Sequence, residues 1–487
     1  MTRLLLTLML LSSLLHADLY PKLFEQLGTP LYKADRVFIK FYKLEPTTRK
    51  KVKYYHLKVQ KLLLLAKKIE EDPTENKKDR QKYFKGLRDL QKDYDEITRT
   101  INAYLFKSID ANNYKEFTEL MHLAHDIFLD NHIIKKRAMA YYVEHRTRGK
   151  IPALDTSYLT LSSDPELYDY VKGHLPRTHL ITQTYSSGAV AHKVLLSKDE
   201  KSAFVGYGNH CFKSVDIQDF ESSSEIASFD FNSQGCALVD ISASATGEYL
   251  YLSDLKNGFT ILDVSEASAP IQKDEYTQVN AMATVYAENS YTSFIIRQTG
   301  ALSILDTSDK DNFKLLANYT RGNPINHIAL DEERSRLYIA DAQGLSVLDV
   351  STLGNPREVY NLPIEDGANH VVLSPDKKIA YLASGDNGIH VLDISKDLEV
   401  SPISTCLTPR YAYHLLLSKN GEKLFVSALN DGIYYINTKD PKDLKHISTY
   451  KLEQPKASAL STVLNALQDT LFIAYGKAGI AKISLKE

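Results

Sequence analysis

Three stretches of the chain are versions of one phrase: Asn257-Gly258-Phe259-Thr260-Ile261-Leu262-Asp263-Val264-Ser265, Gly344-Leu345-Ser346-Val347-Leu348-Asp349-Val350-Ser351 and Asn387-Gly388-Ile389-His390-Val391-Leu392-Asp393-Ile394-Ser395. Weaker copies end at Asp216, Asp306, Asn437 and Ser484. Seven units therefore follow one another at intervals of about 43 to 47 residues, the length of a four-stranded propeller blade. One unit shows how a blade is spelled: short β-rich runs at 328–330, 337–340, 345–350 and 359–362, separated by turn residues. Gly258, Gly344, Gly388, Gly432 and Gly479 each stand five residues before the Asp position, where a turn needing permissive backbone angles enters the third strand. The seventh unit reaches Glu487 directly after its third strand, so its outer strand has to come from elsewhere. Residues 178–185 resemble the fourth strands at 315–319 and 446–450. The reading is an all-β seven-bladed propeller over 178–487, closed by an N-terminal strand that pairs into the last blade and removes the exposed edge.

Upstream, the period changes from two to between three and four. Val52, Tyr55, Val59, Leu62, Ala66 and Ile69 form one apolar stripe, and Tyr83, Leu87, Leu90, Tyr94, Ile97, Ile101 and Tyr104 form another. Asp72-Pro73-Thr74-Glu75 between them has the residues of a helix start, and Asn113-Tyr114-Lys115-Glu116 repeats that logic before a third helix. Residues 18–150 thus read as an α-helical bundle or hairpin domain, with 151–177 as a linker. This half is basic, with about 29 Lys and Arg against about 19 Asp and Glu, and 151–487 is acidic, with about 29 against 42. Arg49, Lys50, Lys51 and Lys53 cluster at one helix start, and Lys135, Lys136 and Arg137 in another helix. Such clusters suit either a solvated helix face or a surface for nucleic acid, anionic lipid or an acidic polymer. The interspersed acids favour the solvated face and make nucleic acid a poor candidate.

Thr2-Arg3, an apolar run over 4–15 and His16-Ala17 before Asp18 have the layout of a secretory signal peptide over 1–17. The run is shorter than the ~18 to 20 residues a bilayer span needs, and no later segment supplies one, so no membrane span is expected after signal removal. The expected location is the periplasm or the cell surface. Three cysteines are too few for a disulfide scaffold. In an oxidising compartment Cys211 and Cys236, on neighbouring repeats, are the natural pair, leaving Cys406.

The recurring Leu-Tyr-(Ile/Leu)-(Ala/Ser)-Asp followed by Gly-φ-x-φ-Leu-Asp-(Val/Ile)-Ser, as at 337–351 and 250–265, resembles the LVIVD repeat of bacterial and archaeal cell-surface proteins. The resemblance covers the last two thirds of the chain and leaves the helices out. It implies an exported propeller and brings no shared reaction or catalytic residue with it. Asn437 and Ser484 replace Asp in the last two copies, which marks this position as a turn cap rather than a chemical group.

No P-loop, HExxH, GxSxG or strand-borne GxGxxG occurs, so the familiar catalytic modules are absent and no cofactor is expected. His122, His125 and His132 fall in the third helical region, where a metal would need a further carboxylate such as Asp126 or Glu119. Aligning the blades places Lys193, Asp240, Thr284, His327, His370, His414 and Ser461 at one register position on the innermost strands. His327, His370, His414, Asp240 and Lys193 are therefore the candidate ligand-binding residues. Converging imidazoles suit a transition metal, or a small polar ligand held through water. Strand alternation instead allows them to be buried between sheets as ordinary core histidines. Two functional classes follow: a protein- or ligand-binding scaffold, whose partner is an envelope protein or a small polar ligand, and a metal-binding protein or enzyme with a site at the channel mouth.

Overall fold

A computed structural model describes Ala34, Phe38 and residues 48–71, 77–128, 132–154, 165–231, 235–309, 312–454 and 457–485. The proposed leader at 1–17 and the cap at 72–75 lie outside the described residues. Two compact units share the chain: Met1–Glu144 with Ala153–Gly173, and His145–Pro152 with His174–Glu487.

The first unit contains helices α1 (Arg49–Glu71), α2 (Lys77–Asp110), α3 (Tyr114–Phe128), α4 (His132–Thr147) and α5 (Pro165–His174), of which α4 runs on into the second unit and α5 falls in the stretch read as linker. The apolar stripe at 52, 55, 59, 62, 66 and 69 is buried throughout. It faces α2, whose Tyr83, Leu90, Tyr94, Ile97 and Ile101 are buried in turn. Gly86 sits where Leu62 crosses: a Cβ there would stand 2.5 Å from Leu62 Cδ2, so the two helices approach because this position has no side chain. Asn113 caps α3 reciprocally, accepting from the Glu116 amide at 3.2 Å while its own amide group donates to the Glu116 carboxylate at 3.0 Å. Among the described residues no helix is long and apolar enough to cross a membrane.

The second unit is a seven-bladed β-propeller. Blades one to six are four-stranded antiparallel sheets built from consecutive chain between Lys193 and Lys451, and each first strand contacts the first strands of both neighbouring blades all the way round the ring. Second strands, such as Arg336–Asp341, are buried on both faces, which is why they read as unbroken apolar runs. Fourth strands are the most exposed, and one of them, Ile271–Tyr276, alternates between exposed and half-buried. One buried apolar cluster fills each of the seven gaps between adjacent blades; between blades five and six it joins Tyr381 and Val391 to Leu415, Val426 and Tyr434. The ring is held by sheet-on-sheet burial, each blade covering the faces that its neighbours cannot cover alone.

The stretch expected to form one closing strand is divided. Its first part, β1 (Arg177–Leu180), adds to blade six as a fifth strand, parallel to Lys445–Lys451. Ile181 then donates its amide to the Lys451 carbonyl at 2.8 Å and buries its side chain between blades six and seven. Only β2 (Gln183–Tyr185) pairs antiparallel with Ile480–Ser484 as the outer strand of blade seven. The glycine device repeats as the spacing predicts. Gly479 has φ +82°, and a Cβ on it would overlap the Tyr185 carbonyl oxygen and stand 2.7 Å from Ser186 Cα. Gly258, Gly344, Gly388 and Gly432 meet the fourth strands of their own blades in the same way. In blade one the position belongs to Cys211, at φ +57° and bonded to Cys236 across to blade two, with the Cα atoms 5.4 Å apart. Cys406 is buried and free.

Candidate functional site

The first strands of all seven blades enter the central channel with two consecutive residues at one mouth. Around the ring these are His192-Lys193, Val239-Asp240, Met282-Ala283, Asn326-His327, Asn369-His370, Tyr413-His414 and Leu460-Ser461, and together with Leu255 they line a cavity of about 330 Å³. The five candidate ligand-binding residues, His327, His370, His414, Asp240 and Lys193, lie on this cavity, and the structure brings His370 into direct contact with both His327 and His414. The His327 and His370 rings stack with centroids 3.5 Å apart and planes 23° from parallel, and His370 meets His414 at 4.1 Å with a 54° tilt. Next to them Lys193 Nζ pairs with Asp240 Oδ1 at 2.9 Å, both side chains being largely shielded.

Blade three corrects the alignment by one residue. Its first strand carries an irregularity between Ala281 and Ala283, as do Leu238/Asp240 and Ile325/His327 in blades two and four. Ala283, opposite Ile296, is therefore the counterpart of Asp240 and His327. Thr284 is buried instead, with its hydroxyl 2.9 Å from that of Ser253 in blade two. Sequence reading also passed over Asn326 and Asn369, each one residue before a channel histidine. Their side-chain amides donate to the carbonyls of Ala368 (2.8 Å) and Ala412 (3.1 Å) in the next blade, tying successive first strands together at the histidine level. The repeated Asn-His pair was visible in the sequence and marked them.

The electrostatics of the mouth follow from burial. It pushes His327 down to about 3, with the Lys193 ammonium adding to the shift and Asp240 opposing it. His370 and His414 are pushed well below the ordinary histidine range, first by burial and then by neighbouring imidazoles and Lys193. All three are neutral at physiological pH, so each offers one N–H and one lone pair. Among the described residues Nδ1 of His327, both ring nitrogens of His370 and Nδ1 of His414 have no hydrogen-bond partner. His370 thus lacks the hydrogen bonds of an ordinary core histidine, whereas His327 bonds the Val371 backbone, and the three rings are not a preformed chelate. Stacked rings point their in-plane lone pairs side by side rather than at one point, and a metal needs nitrogens converging at about 2.0 to 2.1 Å. Among the described residues the one set of three His, Cys, Asp or Glu ligand atoms within 4.8 Å of each other is Cys211, Asp230 and Cys236, whose two sulfurs are joined to each other. Of the helical histidines, His122 is exposed, and the side chains of His125 and His132 lie outside the described residues.

The conserved-looking Asp of each repeat does what its replacement by Asn437 implied. Asp216, Asp263, Asp306, Asp349 and Asp393 each accept a hydrogen bond from the amide two residues on, at 2.8 to 3.1 Å, and Asn437 does the same at 3.0 Å. The serines that follow hold Asp306, Asp349 and Asp393 below the ordinary carboxylate range.

A seven-bladed ring with this repeat defines a class of protein. The LVIVD repeat family model matches residues 239–278, 337–362 and 377–403, in blades two, four and five, so the chain carries LVIVD repeats within a seven-bladed β-propeller, with helices earlier in the sequence. No curated protein matches the sequence. Among solved structures it is similar to a chain in the crystal structure of the mitotic checkpoint complex, at 11% identity and a TM-score of 0.52, over 63% of this chain and 95% of that one. It is also similar to the β-propeller domain of Cps50 (Swd1) from Myceliophteria thermophila, at 14% identity and a TM-score of 0.49, over 63% and 99% of the two chains. The first likeness is one of fold alone.

Proposed function

We propose that this protein is an exported binding scaffold whose propeller receives a small polar ligand at the mouth of its central channel, on His327, His370 and His414 with Lys193 and Asp240 beside them. Propellers commonly bind proteins, but one observation favours a small ligand here: a cluster of neutral imidazoles lines a concave cavity with ring nitrogens that no described protein group satisfies. Unpaired buried polar atoms cost free energy, so a ligand supplying both donors and acceptors, directly or through water, recovers it. The mixed character of the walls, with the Lys193–Asp240 pair flanked by apolar Met282 and Leu460 on the adjoining blades, fits a neutral or zwitterionic molecule better than a bare ion.

The test is a thermal-shift titration of the full chain against amino acids, polyols, sugars and small carboxylic acids, run in parallel on H327A/H370A/H414A. A bound ligand at a hundred times its Kd stabilises by about 2.7 kcal/mol. The reading requires a stabilising compound whose effect disappears in the triple variant. Equal stabilisation of both proteins by every active compound, or none in either, overturns it. Export is supported by the leader-like opening of the sequence and is tested separately: mature protein from the envelope fraction should begin near Asp18, and soluble cytoplasmic protein that retains Met1 defeats it.

A further inference from the structure

Helix α1 is amphipathic twice over. Its buried stripe packs on α2. Away from it Tyr54, Leu57 and Leu64 form a second apolar line, 60%, 43% and 71% exposed, at spacings of three and seven residues, with Tyr54 and Lys50 at its edge, where they border Asp93 and Glu96 of α2. From residue 49 to 69 the helix carries eight Lys and Arg residues and no acid. The acids of α2 take up part of this charge: Glu96 pairs with Lys51, Asp93 with Lys58 at 2.5 Å, and Asp79 with Lys68 at 2.7 Å. The first two pairs lie on the flank of α1 towards α2, and the third lies near the end of the hairpin, on the outward side. Lys50, Lys53 and Lys61, which interleave the outward stripe, make no ion pair among the described residues.

We infer that the outward face of α1 lies on the surface of an anionic lipid bilayer, with Tyr54, Leu57 and Leu64 in the headgroup region and Lys50, Lys53 and Lys61 on lipid phosphates. Large exposed apolar side chains in one line are costly in water and are covered by insertion of a helix parallel to the interface. At 1.5 Å per residue, Tyr54 to Leu64 spans roughly 15 Å, within the reach of a shallowly embedded helix. Lysine stems lie along the apolar edge while their ammonium groups remain at headgroup level. Charge complementarity selects this occupant. A second copy would bring two helices of the same sign together. A nucleic acid would leave Leu57 and Leu64 wet against its phosphates. An anionic bilayer answers both halves of the surface.

The experiment is co-sedimentation of the full-length protein with phosphatidylglycerol–phosphatidylcholine vesicles and with pure phosphatidylcholine vesicles, at low and high salt. The expected result is binding to the anionic vesicles that weakens as salt rises, and much weaker binding to the zwitterionic ones. Each lysine near an anionic surface is worth roughly five-fold in binding, so K50Q/K53Q/K61Q should lower affinity by roughly 100-fold. L57S/L64S, which leaves every charge in place, should lower it by at least about 10-fold. K198Q/K396Q/K419Q removes three exposed lysines from the propeller and should leave binding as it was. The inference fails if wild-type protein does not bind anionic vesicles, if L57S/L64S binds as well as wild type, or if both lysine triples lose equally. It also fails if the outward face instead drives a dimer that L57S/L64S abolishes, or if duplex DNA binds as tightly as the anionic vesicles with no contribution from the two leucines.

Discussion

Replacing Gly479 by alanine tests how the ring is closed. Two costs arise there. The residue sits at φ +82°, and an L side chain in left-handed backbone costs roughly 1 to 2 kcal/mol. Its Cβ would also overlap the carbonyl of Tyr185, the last residue of β2, so the closing strand has to move away from Ile480–Ser484. Losing that three-residue pairing removes two or three hydrogen bonds at about 1 kcal/mol each, giving a total of about 3 to 5 kcal/mol. Gly188 is the matched control, with φ +78° and nothing within 4 Å of an added Cβ, so G188A carries the backbone cost alone. For a unit of about 320 residues, unfolding entropies of about 2.1 cal/mol/K per residue translate 1 kcal/mol into about 1.5 °C. The expected shifts are therefore about 2 °C for G188A and about 5 to 7 °C for G479A. The chain has no tryptophan and 31 tyrosines, so calorimetry or circular dichroism with tyrosine fluorescence as a second probe is the suitable assay. Equal shifts for the two variants would show that Gly479 is needed for its own torsion angle and not for the strand it faces.

The depressed histidines give stability a defined pH dependence. His327, His370, His414 and His446 stay neutral in the fold to well below the unfolded value of 6.5, so over that interval the unfolded chain binds more protons than the native one. Their contribution is fully present above about pH 6.5 and is lost as pH falls, at up to about 1.4 kcal/mol per pH unit for each group. H370N should flatten the fall in denaturation midpoint measured between about pH 6.5 and 4.5, and an unchanged slope would contradict the burial of that ring. The Cys211–Cys236 bond closes a loop with a sequence separation of 25 and staples blade one to blade two, so reduction, or C211A/C236A, should lower stability by about 3 kcal/mol in urea titrations; identical curves with and without reductant would show that the bond adds nothing.

What could be read from sequence follows what is local. The Gly-to-Asp spacing of the third strand is set by one turn and one strand, and it fixed blade count, blade boundaries and the turn-capping role of Asp263 or Asp349 before any coordinates. The stripe from Val52 to Ile69 likewise announced its buried face. Features that depend on partners distant in the chain were read less well. Residues 178–185 look like one fourth strand because they form a single β-prone run without a turn residue, yet nothing in that run says that 177–180 will run parallel to a strand ending at Lys451 while 183–185 joins a different sheet. Which residue of blade three faces Ile296, as Asp240 faces Ser253 and His327 faces Ala340, depends on cross-strand pairing, and Thr284 was set one residue past that counterpart, Ala283. Shared register gathered the three histidines; that their rings would stack, rather than face one another across a channel, depends on the blade-to-blade distance, which no single strand encodes.

The closing strand also orders events in time. Gln183 leaves the ribosome well before its partner Lys482, so β2 waits through the synthesis of six whole blades before its own sheet exists. A chain interrupted anywhere before residue 480 keeps both β2 and the face of blade one that should meet blade seven uncovered, however well its finished blades have folded. Ring closure thus works as a test of the ring's completeness: only a chain that carries the seventh blade hides its last edge, and chains that stop short of it remain marked for proteases and chaperones.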